Sequence, residues 1–196
     1  MELKKRKIII VVLLALTLFV SLPVLTPYLV PGLDLKFHLY RIEGIVAGLK
    51  TGQIPVRMQP EWLSGYGYPV SIFYSDFFLY WPAFFRILHV NLQDCYKIYV
   101  ITVNLLTIYL AFISFKGIFK DDTLIGVIGS VLWSTSIYRL GCEYARAGVG
   151  EYTALAFIPL FFWGGYQILY QPNKKNSWCI TGVGFACLAL SHLEFP

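Results

Sequence analysis

Charged side chains are scarce in this sequence: Asp, Glu, Lys and Arg together make up 14% of its 196 residues. Soluble domains carry about 25% charged residues, whereas 57% of this chain is hydrophobic. The composition therefore excludes an ordinary soluble domain. The net charge of +5 does not indicate a nucleic-acid partner, because a basic cluster just ahead of an apolar run is typical of a cytoplasmic membrane anchor. That cluster is Lys4, Lys5, Arg6 and Lys7.

Signatures of several enzyme classes are also missing. The chain has no GxSxG elbow, HExxH motif, Walker A sequence or Rossmann fingerprint, which leaves hydrolases, zinc proteases, ATPases and dinucleotide-dependent enzymes without support. Its 4 cysteines show neither CxxC spacing nor histidines at zinc-site spacing, so we expect free thiols in apolar surroundings. A disulfide between Cys95 and Cys142 is the minor alternative.

Long apolar runs predict an all-α polytopic membrane protein that forms a single membrane domain over residues 1–196. Residues 8–25 lack charge, and a helix of this length is about 27 Å long, close to the thickness of the hydrocarbon core. A cleaved signal peptide, the minor alternative, has a shorter apolar region and a small-x-small cleavage site. About five spanning helices are expected in all. The other four begin, within residues 96–196, near Tyr96, Leu124, Thr153 and Trp178.

The distribution of lysines predicts how these helices are oriented in the plasma membrane. If residues 1–7 form a cytoplasmic basic tail, both short lysine-containing linkers also fall on the cytoplasmic side, as the positive-inside rule favours. Residues 26–95 then form a long first extracytoplasmic loop, and residues 139–151 form a second, shorter loop on the same side. The last apolar segment reaches the end of the chain without a polar tail, so we expect a truncated final helix in the N-terminal fragment of a longer protein.

Residues 70–90 could be read as a sixth span, because they are apolar apart from Asp76, Pro82, Arg86 and His89. A span here would place the later lysine linkers outside the cell, against the positive-inside rule. We therefore predict that this stretch, which is rich in aromatic side chains, forms interfacial or re-entrant helices against the lipid bilayer.

Asp34 marks the start of a predicted amphipathic helix that lies along the membrane and ends before Gly52. At 100° per residue, Asp34, His38 and Arg41 fall within about 60° of one another. In one interpretation, Asp34 only caps the helix while the two cations reach lipid headgroups. In the other, its carboxylate is a general base and the cations hold a phosphate. The apolar face of this helix consists of Leu35, Leu39, Ile42, Val46 and Leu49.

Further candidate ligand-binding residues lie in the two extracytoplasmic loops. Arg57 is a third candidate for the phosphate, and Tyr66 and Tyr68 could stack on sugar rings, although an aromatic belt at the membrane surface explains them equally well. Arg146 and Glu151 could complete a site with Asp34, the alternative being that the charges of the second loop pair with each other. No metal or cofactor is predicted; a divalent ion among Asp34, Glu143 and Glu151 is an option that no spacing demands.

Short motifs occur in order over nearly the whole chain. They are Asp34-Leu35-Lys36-Phe37-His38, Gly52-Gln53-Ile54-Pro55-Val56-Arg57, Gly65-Tyr66-Gly67-Tyr68-Pro69, Phe73-Tyr74, Arg146-Ala147-Gly148-Val149-Gly150-Glu151, Pro159-Leu160 and Ser191-His192. Together they resemble the bacterial membrane proteins that carry a 6-pyruvoyl-tetrahydropterin synthase-related domain. Pterin chemistry itself is not expected, because the zinc-binding histidines of the soluble synthase have no counterpart at matching spacing.

These membrane proteins are similar in layout to GT-C glycosyltransferases, in which an acidic residue of the first extracytoplasmic loop acts at the acceptor. Asp34 occupies that place, so the resemblance implies that it is the catalytic base. We therefore expect transfer of a sugar from a polyprenyl-phosphate donor to a cell-envelope acceptor. The chain is predicted to have fewer spanning helices than those enzymes. The alternative is a non-catalytic scaffold or flippase-like component of envelope assembly.

Overall fold

The computed structural model describes residues 2–171 and 174–192. Within these ranges the architecture is all-α, because the chain forms α-helices and shorter helical turns and no β-strand. This confirms the all-α part of the expected fold class. The α-helices are α1 (Glu2–Ser21), α2 (Leu35–Lys50), α3 (Val70–Phe73), α4 (Tyr80–Ile87), α5 (Leu92–Ile118), α6 (Thr123–Ser134), α7 (Ile137–Leu140), α8 (Val149–Tyr170) and α9 (Ser177–Ser191). Shorter 3-10 turns occur at Leu22–Leu25, Leu63–Gly65 and Phe77–Leu79, and a π-helix occurs at Gly141–Arg146.

Several helices are long and apolar enough to cross a membrane. The described residues contain three such helices, Lys4–Leu25, Leu92–Ile118 and Val149–Tyr170. A fourth span results if Thr123–Ser134 and Ile137–Arg146, which meet at a bend of 45°, are counted together. The apolar segment that begins near Leu124, which was predicted as a span, therefore contains a bend. Helix α9 has 15 residues and is apolar but shorter than these spans.

Helix α5 lies at the centre of the bundle. It contacts α1, α6 and α8, and α8 packs along α9. Two hydrogen bonds join these helices: the Tyr99 hydroxyl lies 2.7 Å from Thr153 Oγ1, and Trp133 Nε1 donates to the Leu155 carbonyl at 3.0 Å. Apolar side chains on α1, by contrast, are largely exposed, which suits contact with lipid.

The helix expected after Asp34 is present as α2, and it packs against other parts of the protein. Two residues of its apolar face, Ile42 and Val46, are buried in the core of the protein, and Leu35, Leu39 and Leu49 pack against that core. Gly44 and Gly48 are also buried, because the chain that follows α2 folds back over them. The side chains of Gln59 and Val56 contact these two glycines. Helix α2 is therefore covered by the protein from a second direction.

Residues 70–90 do not form a span. They are divided between α3, a 3-10 turn and α4, and the longest of these, α4, has 8 residues. Eight residues of helix extend about 12 Å, much less than the roughly 30 Å of a bilayer core. The short helices expected here are confirmed.

The two loops predicted to lie on one side are in direct contact. The Leu33 amide donates to the Ala145 carbonyl at 3.3 Å, and the Asp34 amide donates to the Arg146 carbonyl at 2.8 Å. The contact therefore places both segments at the same end of the bundle.

Two smaller expectations have clear outcomes. All the cysteines are free, so the Cys95–Cys142 disulfide is not formed. The polar linker between α5 and α6 is confirmed, and Asp122 caps α6 by accepting hydrogen bonds from the amides of Leu124 and Ile125. The chain end, Leu193 to Pro196, and Pro172 and Asn173 of the third linker lie outside the described residues.

Candidate functional site

Asp34 stands at the N-cap position of α2, but its side chain makes no capping hydrogen bond. The capping interpretation of its carboxylate was therefore wrong. Instead, Asp34 Oδ2 lies 3.5 Å from Arg146 Nε, and the Asp34 side chain is 44% exposed. A carboxylate that is not used for capping and that solvent can reach is available to accept a proton or a hydrogen bond from a ligand.

Arg146 bridges two carboxylates. Besides Asp34, its Nη1 contacts Glu151 Oε1 at 2.7 Å, while the Arg146 side chain itself is 52% exposed. The backbone supports this arrangement, because Ala147 turns the chain sharply in the left-handed region at φ 58°, between the π-helix and the start of α8. The structure thus brings three of the predicted residues together where the two loops contact each other. These residues are Asp34, Arg146 and Glu151.

Tyr74 and His192 lie next to this cluster, although neither was among the predicted site residues. The Tyr74 hydroxyl lies close to the backbone of Gly150, and the rings of Tyr74 and His192 are 5.4 Å apart. A Cβ atom on Gly150 would lie 2.6 Å from His192 Cδ2 and 2.7 Å from Tyr74 Oη. Only glycine fits between them. The one signal in the sequence was that both residues belong to the motifs that carry the family resemblance.

His38 and Arg41 are buried and do not reach the cluster as ligand-binding groups. Arg41 Nη2 donates to the carbonyls of Tyr74 at 2.9 Å and Ser75 at 2.7 Å, and its guanidinium lies 4.4 Å from the Tyr74 ring centroid. His38 Nδ1 is 3.4 Å from Arg41 Nη1. One interpretation expected both side chains to reach lipid headgroups, but both are buried inside the protein. Both hold the segment that carries Tyr74.

Burial also sets the charge of these two side chains. It lowers the pKa of His38 to about 3, with the charges of Arg41 and His192 acting in the same direction. Burial likewise lowers the pKa of Arg41 to about 10, although Tyr74 and Asp76 partly offset it. At neutral pH, His38 is therefore neutral and Arg41 remains a cation, as its contacts with two carbonyl oxygens require.

The remaining predicted residues lie elsewhere on the second half of the first loop. Arg57 is exposed and interacts electrostatically with Asp76. Tyr66 is 90% exposed at the tip of the loop. Tyr68 exchanges two backbone hydrogen bonds of 3.0 Å with Gln59, and its ring is 5.5 Å from that of Trp62. None of the predicted residues Arg57, Tyr66 and Tyr68 forms a hydrogen bond or ion pair with Asp34.

A second charge cluster lies inside the bundle. Arg139 Nη1 pairs with Glu143 Oε2 at 2.8 Å, and their side chains are 1% and 0% exposed. Asn104 of α5 donates to Glu143 Oε1 at 2.7 Å and to Ser21 Oγ of α1 at 3.0 Å, while its own oxygen accepts from Arg139. This cluster joins three parts of the bundle and reaches no open surface, so its geometry is that of a packing element.

The option of a divalent ion among Asp34, Glu143 and Glu151 is not supported. Glu143 is paired with Arg139 inside the bundle. Asp34 and Glu151 instead contact Arg146, where the two loops meet. Over residues 2–171 and 174–192, no three His, Cys, Asp or Glu side chains are placed to hold a metal ion.

Fold and site together define an all-α protein with several helices that could span a membrane and a charged cluster at one end of its bundle. The chain is 24% identical over 187 residues to an uncharacterized protein of Lactococcus lactis subsp. cremoris (strain MG1363). This match covers 93% of the chain, and the chain spans about 30% of the length of that relative. No protein-family model and no solved structure matches the chain.

Proposed function

We propose that the chain belongs to a membrane glycosyltransferase of the GT-C type, which transfers a sugar from a polyprenyl-phosphate donor to a cell-envelope acceptor. One observation carries the proposal: the Asp34 carboxylate does not cap its helix, is 44% exposed and stands beside an exposed arginine. The resemblance of the sequence motifs to membrane proteins with a 6-pyruvoyl-tetrahydropterin synthase-related domain supports the class, and these proteins share the GT-C layout.

In the proposed reaction, Asp34 acts as the general base. It takes the proton from an acceptor hydroxyl while that oxygen bonds to the anomeric carbon of the donor sugar. The bond between the anomeric carbon and the phosphate oxygen breaks, and its electron pair leaves with the polyprenyl phosphate. Arg146 is the cation best placed to hold that phosphate, because Arg41 is already bonded to two carbonyl oxygens.

The proposal includes a topology in the plasma membrane. The N-terminus is cytoplasmic, α9 forms the fifth span, and the Asp34 cluster faces outward. Contact between the loops that carry Asp34 and Arg146 supports this arrangement, because it requires both loops to lie on one side. The lysine-containing linker between α5 and α6 then lies on the cytoplasmic side, in agreement with the positive-inside rule.

The test is replacement of Asp34 by Asn in the complete protein, expressed in a strain that lacks the gene. Loss of a general base lowers a rate by about 10²- to 10⁴-fold, so glycan and lipid profiling should show that transfer is lost. The variant should still insert, since the Asp34 side chain caps nothing. Asp94→Asn is the matched control, because Asp94 is exposed and distant in sequence from the cluster. Unimpaired transfer by Asp34→Asn would sink the proposal.

A non-catalytic scaffold or flippase-like component is the second candidate. The observation in its favour is that Arg146 already contacts both Asp34 and Glu151, and an ion pair of this kind can serve only to hold two loops together. This function predicts that Asp34→Asn leaves the envelope unchanged. The same profiling experiment therefore separates the two candidates.

A further inference from the structure

A cavity of about 330 Å³ lies beside the middle of α2 and is formed partly by the loop that follows this helix. Its volume falls at the lower end of the range of small-molecule sites, which is about 300 to 1,000 Å³. The cavity is distinct from the Asp34 cluster, whose residues do not line it. Its lining residues are Tyr40, Glu43, Gly44, Glu61, Trp62 and Leu63.

Aromatic rings form two of its walls. The ring centroids of Tyr40 and Trp62 are 6.0 Å apart with an interplanar angle of 67°, so the two rings meet edge to face. Trp62 is held in place by Phe37 at 5.7 Å and by Tyr68 at 5.5 Å. Such fixed, partly exposed rings offer apolar faces on which a flat apolar surface of a ligand can lie.

Two carboxylates supply the polar part of the cavity. Glu43 Oε1 accepts a hydrogen bond of 2.8 Å from Arg86 Nε, and the Glu43 side chain keeps 31% of its surface exposed. Glu61 is exposed, and it makes no hydrogen bond or ion pair within the part of the chain that the structure describes. Ionised carboxylates only accept hydrogen bonds, so the lining demands a ligand with several donors.

The charges around the cavity narrow the choice of ligand further. An unpaired Glu61 repels an anion such as a phosphate. Lys36 repels a cationic ligand, because its ammonium group lies 5.9 Å from the centroid of the Tyr40 ring. A neutral ligand with hydroxyl donors and an apolar face satisfies both conditions. A pyranose ring has this combination.

The floor of the cavity is fixed before any ligand arrives. Gly44 lies against Gln59 so closely that a Cβ atom on it would be 2.2 Å from Gln59 Oε1. Gln59 is itself fixed by its two backbone hydrogen bonds of 3.0 Å with Tyr68. The loop that carries Glu61 and Trp62 is thus closed at both ends, and a preformed site of this kind loses less entropy on binding.

The position of the cavity on α2 relates it to the Asp34 cluster. Tyr40 and Gly44 follow Asp34 by six and ten residues, which corresponds to about 9 to 15 Å along the helix axis. A chain of linked sugars could therefore occupy the cavity while another of its units lies beside Asp34.

We propose that this cavity is a saccharide subsite, in which a pyranose ring stacks on Trp62 and donates hydroxyl hydrogen bonds to Glu43 and Glu61. Its assignment to the acceptor glycan rests on the proposed transferase function. Binding of a saccharide does not depend on it.

The test measures binding of soluble trisaccharides by the full chain in lipid nanodiscs, with saturation-transfer NMR and calorimetry. The probes are the trisaccharides of glucose, mannose and N-acetylglucosamine. At least one should bind saturably, and Trp62→Ala should weaken it about threefold to tenfold, since an aromatic contact contributes about 0.5 to 1.5 kcal/mol. Trp62→Phe should retain most of the affinity, which shows that a loss in Trp62→Ala does not come from misfolding.

Tyr28→Ala is the matched control, because Tyr28 is also an exposed aromatic side chain of the first loop, with 67% of its surface exposed, and does not line the cavity. It should bind as the unaltered chain does. Three outcomes overturn the proposal: no trisaccharide binds, Tyr28→Ala and Trp62→Ala behave alike, or tetramethylammonium competes for the cavity. Because the readout is binding and not transfer, failure here leaves the Asp34 experiment undecided, and failure of that experiment leaves the subsite intact.

Discussion

Two charge clusters of similar composition occupy opposite environments in this protein, although Glu143 and Arg146 lie on the same short π-helix. In the first cluster, Arg139 and Glu143 have side chains that are 1% and 0% exposed. In the second, Arg146 is 52% and Asp34 is 44% exposed. The pairs use the same types of charged group, so their difference lies in what surrounds them.

The comparison teaches how to separate packing from function among charges near a membrane. In the buried cluster, Asn104 supplies further hydrogen bonds to both ions, because an ion taken out of water needs several partners. In the exposed cluster, Arg146 pairs closely with Glu151 at 2.7 Å, whereas the Asp34 carboxylate lies 3.5 Å from Arg146. A ligand can replace this longer contact at little cost. An accessible, weakly paired carboxylate is thus the better candidate for chemistry.

The largest expected effect follows from breaking the buried pair. Replacing Glu143 by Leu leaves the Arg139 charge uncompensated inside the bundle, which should destabilise the protein by about 3 to 5 kcal/mol. Thermal unfolding in detergent micelles measures the loss. The double variant Arg139→Leu/Glu143→Leu should be more stable than the single one, because it leaves no unpaired charge. A single variant as stable as the unaltered chain would show that the pair is not a packing element.

A smaller loss is expected when the amide that joins the pair to the rest of the bundle is removed. Asn104→Leu deprives Arg139 and Glu143 of one partner each, and an unsatisfied buried polar group costs about 1 to 3 kcal/mol. Leu105→Ala on the same helix is the control, because Leu105 is 43% exposed. Equal melting temperatures for these two variants would contradict a specific role of Asn104.

The buried polar residue His38 extends the comparison to pH. Its folded-state pKa of about 3 lies below the ordinary value of 6.5, so the unfolded chain binds a proton first as the pH falls. Its contribution to stability is therefore complete above pH 6.5 and declines towards pH 3, by at most about 1.4 kcal/mol per pH unit. Burial raises the pKa of Asp76, which acts in the opposite direction.

Chemical unfolding between pH 7 and pH 5 measures this dependence as a difference between variants. His38→Gln should unfold with less dependence on pH than the unaltered chain, while His89→Gln should retain it, because His89 is exposed. If His38→Gln and His89→Gln respond to pH alike, burial of His38 does not control the response.

The smallest effect on stability is expected at the exposed cluster. Arg146→Gln should change the free energy of unfolding by no more than about 1 kcal/mol, as exposed ion pairs do. The same variant should impair transfer in the complete protein if Arg146 holds the donor phosphate. Thermal unfolding and glycan profiling of one preparation give both results. A loss of stability as large as that of Glu143→Leu would remove the contrast between the clusters.

Much of the fold was predictable from the sequence, because apolar length and helical spacing are local properties. The helix that follows Asp34, the linker before Asp122 and the short helices of residues 70–90 were all expected. The two loops predicted to lie on one side of the bundle are in contact, and Asp34 and Arg146 meet where they touch.

The site was predicted less well, for a physical reason. Helical spacing placed Asp34, His38 and Arg41 on one side of α2, but it could not show that the segment with Tyr74 and Ser75 covers His38 and Arg41. The roles of Tyr74, Gly150 and His192 were missed in the same way. Their contacts join segments that are far apart in sequence.

The sequence by itself determined the all-α class, the apolar helices and the polar character of the loops between them, since these depend on composition and on periods of a few residues. Only the tertiary structure decided which charges are buried and which are exposed. The reason is that burial depends on the segments that fold over a side chain. In this protein those segments lie about 30 to 40 residues away for Arg41 and Arg139, at Tyr74 and Asn104.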